Sequence, residues 1–345
     1  MIKILIVDDS AFMRIVMRKM IESDPTLTVV GEAKNGAQAV QMAQALRPDV
    51  ITMDVEMPEM DGLQATRQII ASAPCIIIMV SSLTERGTRT TLDALQAGAV
   101  DFISKKSSFV QLDIMQISNQ LVEKIHFWVE QMLWKKIKPQ ASAEPSTGGR
   151  ARLLKPVGKV GLVVVGVSTG GPAMMHSFLR QMGPLSCPMV IAQHMPPVFT
   201  KGFADHLLRE TGLNVIEGKN GMKLEPGMVV IAPGGTDSIV REPFAGEMTL
   251  YLRTNTNAPI HPNADELFKS AAAVSVGVVG VILTGMGNDG TAGAKALAAS
   301  NAPVLVQEPA TCIVDGMPGS AIQAGVVNES LSPQALAKRL AVWCN

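Results

Sequence analysis

The feature that most constrains this chain is an alternation of short aliphatic runs with amphipathic stretches, begun at the N-terminus, broken once and then resumed. Up to about residue 125 the runs are Ile4–Val7, Thr28–Gly31, Val50–Met53, Ile76–Val80 and Val100–Ile103. Between them, segments such as Ala11–Ile21 and Gln38–Leu46 carry apolar residues at helical spacing. Strands with no polar face, joined through helices, pair as a parallel sheet covered on both sides. The pattern predicts a doubly wound α/β domain of flavodoxin-like order over residues 1–125. A composition change follows. Lys135-Lys136-Ile137-Lys138-Pro139 opens a basic, then Pro-, Ser- and Gly-rich stretch with almost nothing to bury, so residues 126–158 read as a helix end and a flexible linker. From Val160 the alternation resumes, with runs at Gly161–Val165, Met189–Ala192 and Val278–Leu283 and helical segments at Ala264–Ala273, Thr291–Ala299 and Pro333–Trp343. Three short runs separated by turn residues, Met228–Ile231, Ser238–Arg241 and Met248–Leu252, read as a small antiparallel excursion at one sheet edge. The second domain, 159–345, is thus predicted as a Rossmann-like, three-layer parallel sheet.

Bulk properties narrow the partners. At 345 residues the chain is long for one core, which agrees with two domains. Thirty basic residues balance 30 acidic ones, so no nucleic-acid or membrane-surface footprint is expected. No apolar run approaches the ~20 residues of a membrane span, and Met1–Asp9 reads as a charged strand and not a signal peptide. The four cysteines are scattered without a CxxC pair and read as reduced residues of a cytoplasmic protein.

Two sets of polar residues sit just past predicted strands. In the first half, Asp8 and Asp9 follow the first run, Asp54 the third, Ser81 the fourth and Lys105 the fifth. Singly, each acid suits a loop or helix cap. Together, three carboxylates at one sheet edge form the hard-oxygen environment that Mg²⁺ prefers, with a hydroxyl and a compact cation beside it. In the second half, Gly166-Val167-Ser168-Thr169-Gly170-Gly171 puts a hydroxyl on a glycine-rich turn and formally satisfies the nucleophile-elbow pattern. Gln193-His194-Met195-Pro196 supplies an imidazole, and Leu283-Thr284-Gly285-Met286-Gly287-Asn288-Asp289-Gly290 supplies an acid. Residues past the carboxyl ends of parallel strands converge on one crevice, so Ser168, His194 and Asp289 read as nucleophile, base and orienting carboxylate. Asp289 would accept from His194 Nδ1–H, although it also suits a cap for the helix that follows. The order Ser…His…Asp differs from the Ser…Asp…His of α/β-hydrolases, which excludes that fold.

The first set resembles the receiver domain of two-component response regulators, position by position through Met53-Asp54-Val55-Glu56-Met57-Pro58-Glu59-Met60-Asp61-Gly62, Ser81 and Lys105. That resemblance implies that Asp54 accepts a phosphoryl group from a histidine kinase while Asp8, Asp9 and Asp54 hold Mg²⁺. It further implies that Ser81 and Lys105 meet the phosphoryl group, with Phe102 as the coupled aromatic switch. Lys106 stands where the family pattern has proline. With the second set, and with Pro262-Asn263-Ala264-Asp265-Glu266-Leu267-Phe268, the whole chain resembles the chemotaxis protein-glutamate methylesterase, or CheB, family. The resemblance implies hydrolysis of glutamate γ-methyl esters on chemoreceptors by Ser168, His194 and Asp289, with Thr169 and the Met286 backbone N–H in supporting and oxyanion roles. Receptor glutamines are deamidated by many relatives through the same acyl chemistry. A phosphorylation-activated monomer needing no metal in the second domain is expected. The alternatives are a same-fold esterase, or a non-catalytic partner-binding regulator, in another two-component pathway.

Overall fold

Ile4, Leu5 and Ile6 are all fully buried, which requires the strand that carries them to be covered on both faces. The computed structural model describes residues 1–82, 85–105, 111–137, 158–254 and 260–345, with 81, 82, 85, 86, 111–116 and 132–137 described at backbone level. Contacts divide the chain into two units, Met1–Ser146 and Thr147–Asn345.

The first unit alternates β1 (Ile2–Val7), α1 (Ala11–Glu22), β2 (Leu27–Ala33), α2 (Gly36–Leu46), β3 (Val50–Asp54), α3 (Gly62–Ser72), β4 (Ile76–Ser82), α4 (Glu85–Gln96), β5 (Asp101–Lys105) and α5 (Gln111–Ile137). Its five strands pair in parallel in the order β2-β1-β3-β4-β5. The order reverses at β1, and the crevice beside it lies between the ends of β1 and β3. Helix starts are set locally: Ser10, Asn35 and Asp61 accept from the backbone N–H of Met13, Gln38 and Gln64 at the heads of α1, α2 and α3. Leu121, Ile125 and Trp128 are buried at helical spacing, and Trp128 Nε1 donates to Asp101 Oδ2 at 3.2 Å, which ties α5 to β5. The helix continues through Lys135–Ile137, so the basic start assigned to the tether is helical. Residues 138–157, which carry the rest of the tether, and Lys106 lie outside the described residues.

The second unit runs β6 (Val160–Val167), α6 (Gly171–Met182), β7 (Met189–Gln193), α7 (Pro197–Thr211), β8 (Asn214–Glu217), β9 (Met222–Leu224), β10 (Met228–Ile231), β11 (Asp237–Phe244) and β12 (Glu247–Arg253). It continues with α8 (Ala264–Ala271), β13 (Gly277–Ile282), α9 (Thr291–Ala299), β14 (Val304–Gln307), α10 (Gly316–Gln323), β15 (Glu329–Leu331) and α11 (Pro333–Cys344). Seven strands form one parallel sheet in the order β15-β14-β13-β6-β7-β10-β8, while β11, β12 and β9 form a separate three-stranded antiparallel sheet. The excursion expected from the sequence therefore exists, but one of its members was misassigned. Met228–Ile231 pairs in parallel with both β7 and β8. Its Val-Val-Ile run has no polar face and is buried on both sides, the signature of an internal parallel strand; Met222–Leu224 takes its place in the antiparallel sheet. Leu250 and Val240 of the small sheet pack with Val190, Val230 and Phe268 in one core. Burying side chains of this size stabilises by about 1.5–3 kcal/mol each.

Candidate functional site

In the seven-stranded sheet the chain moves from β6 to β7 and later returns to β13 on the other side of β6, so the strand order reverses at β6. The carboxyl ends of β13, β6 and β7 are therefore neighbours at a switch point. Ser168 follows β6 directly and His194 follows β7 directly, whereas Asp289 stands on the loop after β13. The turn after Ser168 depends on glycine: Gly170 has φ 84°, and a Cβ there would meet Ile313 Cβ at 2.8 Å.

The three side chains form one hydrogen-bonded chain. His194 Nδ1 lies 3.0 Å from Ser168 Oγ, and His194 Nε2 lies 2.7 Å from Asp289 Oδ2. This reverses the ring nitrogens expected from the sequence. The reason is positional. The His194 backbone N–H donates to Val167 O at 3.1 Å, which holds His194 alongside the strand that ends at Ser168. The ring nitrogen nearer the backbone then reaches Ser168, and the far one reaches across to Asp289. A carboxylate only accepts, so the proton sits on Nε2 and Nδ1 is left as the acceptor facing the hydroxyl.

Asp289 is held by more than the imidazole. Its Oδ2 also accepts from Ala264 N at 2.7 Å, and its Oδ1 accepts from Asp265 N at 2.9 Å and Gly290 N at 2.9 Å. Burial works against the charged form, but His194 and the first amides of α8 outweigh it and hold the carboxyl below its ordinary value. The alternative reading of Asp289 as the cap of its own helix gives way to this arrangement: α9 starts at Gly290, which offers no side-chain cap, and Asp289 receives the N-terminus of α8 instead.

Thr169 meets the site through its backbone carbonyl, which accepts from Thr284 Oγ1 at 3.0 Å. Met286 lies on the loop between β13 and Asp289 with its side chain 52% exposed. Two contributors escaped sequence reasoning. Gln193 Nε2 donates to the carbonyls of Ser168 at 2.9 Å and His194 at 3.2 Å, bridging the two turns. Thr284 is fully buried; its carbonyl accepts from Ser168 N at 3.0 Å and its hydroxyl accepts from Val314 N at 3.0 Å. The only signal for either was a polar residue at the end of an otherwise apolar run.

At the edge of the first sheet, carboxylate oxygens of Asp8, Asp9 and Asp54 lie within 4.8 Å of one another. Asp8 and Asp54 are buried and Asp9 is exposed. Lys105 Nζ bridges Asp8 Oδ2 and Asp54 Oδ2, at 2.8 Å from each. Burial, followed by the Asp8 charge, pushes the Asp54 carboxyl up to about 6 against the opposing pull of Lys105 and the Val55 N–H. Burial also opposes the Lys105 charge, but Asp54 and Asp8 overcome it and raise the ammonium above its usual value. Three oxygens crowded at one rim, with negative charge that burial disfavours, suit a hard divalent cation. Phe102 is half-buried on β5, and Ser81 pairs in register with Ser104. The Ser81 side chain lies outside the described residues. Among the described residues no helix is long and apolar enough to cross a membrane.

An acidic rim on one parallel sheet and a hydrogen-bonded Ser-His-Asp chain on another fit a response regulator joined to a hydrolase. The CheB methylesterase model matches residues 163–340 and the response regulator receiver domain model matches residues 4–115. The chain belongs to the CheB methylesterase family. A protein-glutamate methylesterase/protein-glutamine glutaminase of Alkalilimnicola ehrlichii is 38% identical over 387 residues, covering 99% of each chain. One from Thermotoga maritima is 38% identical over 342 residues, covering 98% of this chain and 97% of that protein. The Thermotoga maritima CheB methylesterase catalytic domain is similar in structure, with a TM-score of 0.50 and 33% identity over 54% of this chain and 99% of that one.

Proposed function

We propose that this protein is a phosphorylation-activated methylesterase of chemotaxis that hydrolyses glutamate γ-methyl esters on chemoreceptors. The observation that carries the reading is the continuous chain Ser168 Oγ, His194, Asp289, at 3.0 and 2.7 Å. Ser168 Oγ attacks the ester carbonyl while His194 Nδ1 takes the hydroxyl proton, and Nε2–H donates to Asp289 throughout. The Met286 N–H, with Thr169 in support, faces the oxyanion. The proton on Nδ1 passes to the departing methoxide, methanol leaves, and a glutamyl ester of Ser168 remains. Water deprotonated by Nδ1 then attacks that ester, restoring Ser168 and releasing the glutamate. A receptor glutamine follows the same steps with ammonia leaving, in keeping with the double name of the relatives.

In the first unit Asp54 takes a phosphoryl group from a histidine kinase, and Ser81 and Lys105 meet its oxygens, with Phe102 moving in response. Asp8, Asp9 and Asp54 would hold Mg²⁺, which neutralises phosphoryl charge when bound. The protein acts as a monomer in the cytoplasm; the four buried, unbridged cysteines fit the compartment and do not bear on the oligomeric state.

The test is methanol release from methylated chemoreceptor membranes, with and without a small-molecule phosphodonor and Mg²⁺. Release rises with the phosphodonor and disappears in Ser168→Ala. Release that survives Ser168→Ala sinks the mechanism, and release indifferent to the phosphodonor sinks the regulation. The unphosphorylated first unit is taken to restrain the hydrolase, which is read by comparing residues 155–345 with the unphosphorylated full chain: a faster fragment supports the restraint, and equal rates remove it.

A further inference from the structure

Helices α8 and α9 each lack something that the other supplies. The head of α9 is Gly290, with no side chain to cap the helix. Its amides turn instead to a residue of α8: Asp265 Oδ1 accepts from Gly293 N at 2.6 Å, and the Ala292 N–H faces the same carboxylate. In return Asp289, two residues before the start of α9, accepts from Ala264 N at 2.7 Å and Asp265 N at 2.9 Å at the head of α8. Asp289, on the loop leading into α9, thus satisfies the first two amides of α8 beside the Asn263 cap on Glu266 N, and Asp265 of α8 satisfies amides of the first turn of α9. The helices sit in backbone contact at this point, since a Cβ on Gly293 would meet Asp265 O at 2.9 Å and Asp265 Cα at 3.0 Å. This close approach ties the position of one helix head to that of the other.

We propose that Asp265 is a positioning residue for the hydrolase: by capping α9 it fixes the turn that carries Asp289, and so sets the Asp289 carboxylate on His194 Nε2. The proposal rests on the Ser168–His194–Asp289 reading. Asp265 touches neither Ser168 nor His194, and it acts through the helix start.

The electrostatics agree with this division of labour. Burial and the neighbouring Asp289 charge raise the Asp265 carboxyl, while the Gly293 amide pulls it down. Two carboxylates this close compete for the same amide-rich corner. Asp289, with the imidazole and the head of α8, keeps its charge more easily, and Asp265 bears the cost of proximity. The sequence hint was Asp265 in Asn263-Ala264-Asp265-Glu266, which reads locally as an acidic first turn for its own helix.

The test compares Asp265→Ala and Asp265→Asn in the full chain, phosphodonor and Mg²⁺ present throughout. In Asp265→Ala, kcat for methanol release falls roughly 10- to 100-fold, the cost of a reacting group displaced by about 1 Å, while KM stays within about twofold. Asp265→Asn retains an oxygen for Gly293 N and recovers to within about fivefold of wild type. Should Asp265→Ala not fold, Asp265→Ser, with a shorter acceptor, stands in for it. A second readout needs no substrate: the downfield imidazole proton of the His194–Asp289 bond, seen by proton NMR in wild type and Asp265→Asn, is lost in Asp265→Ala. Wild-type turnover with the signal kept in Asp265→Ala overturns the proposal, as does a loss confined to KM. If wild type shows the signal but no methanol release, the loss of signal in Asp265→Ala still upholds the positioning role, and it is the substrate reading that fails.

Discussion

Asp54→Asn should make this protein more stable, and the size and pH dependence of the gain follow from where Asp54 sits. Its carboxyl is pushed from 3.8 up to about 6, first by burial and then by Asp8. A displacement of that size is worth about 3 kcal/mol once the group is ionised in both states. The sign follows from proton binding. Between pH ~4 and ~6 the folded state holds a proton that the unfolded chain has released, so stability falls as pH rises toward about 6, and the full cost persists above that. Asparagine removes the ionisation and, with it, the carboxylate that Lys105 holds at 2.8 Å, but that attraction already lowers the Asp54 carboxyl within its net displacement, so it is not subtracted again. The net expectation at pH 8 without Mg²⁺ is a gain of about 3 kcal/mol, or a rise on the order of 10 °C in Tm for the transition of the first unit. At pH 5 wild-type Asp54 is mostly protonated in the folded state but ionised in the unfolded chain, so the gap falls to about half. Mg²⁺ works against the gap, because it stabilises wild type by about 2.7 kcal/mol at 100 times its Kd, close to the whole gain of the variant, which offers the ion two carboxylates in place of three. Differential scanning calorimetry of the full chain at pH 5 and pH 8, with and without Mg²⁺, reads all four corners. A variant less stable than wild type at pH 8 without Mg²⁺, with a gap that does not change with pH, would refute the reasoning.

Other substitutions probe single bonds. Lys105→Met leaves Asp8 and Asp54 facing each other without their shared cation and should cost about 3 kcal/mol in urea unfolding without Mg²⁺, with Mg²⁺ restoring part of it; an unchanged midpoint would contradict the buried bridge. Asp289→Asn turns an amide toward His194 Nε2, Ala264 N or Asp265 N, all of them donors. If its NH₂ faces His194, the imidazole proton moves to Nδ1 and the base is lost, so kcat should fall by about 10⁴; retention of a tenth of the activity would mean that Asp289 does not set the tautomer. Thr284→Val strands the buried Val314 N–H and frees the Thr169 carbonyl, so stability should drop by about 1–3 kcal/mol in chemical denaturation together with kcat; a drop in stability alone would separate Thr284 from the chemistry.

Much of this was legible because parallel strands write themselves plainly. Runs such as Ile76–Val80 and Gly161–Val165 have no polar face, so their alternation with helices set out the five strands of the first sheet and the three central strands of the second, whose topology gathers residues 168, 194 and 289 at one edge; the outer strands β8, β14 and β15 lie outside that reading. Met228–Ile231 was misread because an internal parallel strand and a short hairpin strand look alike when only four residues long; what separates them is the neighbour on each side, which is not a local property. The exchange of ring nitrogens on His194 was invisible for a related reason. It depends on a backbone bond to Val167, and no residue type encodes that. Gln193 and Thr284 were hidden because their work is done through main-chain carbonyls and amides, which every residue possesses.

The two candidate sites place an aspartate at a sheet edge under similar burial and drive it in opposite directions. Asp289 has its side chain 11% exposed and Asp54 its side chain 8% exposed, so desolvation alone does not separate them. What differs is the supply of donors. Asp289 receives the imidazole and the backbone amides of residues 264, 265 and 290, all fixed by secondary structure, and its charge is held permanently. Asp54 receives the Val55 N–H at 2.7 Å and a share of Lys105, whose other bond goes to Asp8, and a second carboxylate adds its repulsion. A carboxylate saturated with fixed donors suits a constant task, such as holding an imidazole in one tautomer for every turnover. One left short of donors has affinity to spare for what arrives from solution, first a divalent cation and then, through its own oxygen, a phosphoryl group. Under the proposed function, the deficit at Asp54 is the property that would make it switchable, and filling it with fixed amides would stabilise the first unit while removing its reason to respond.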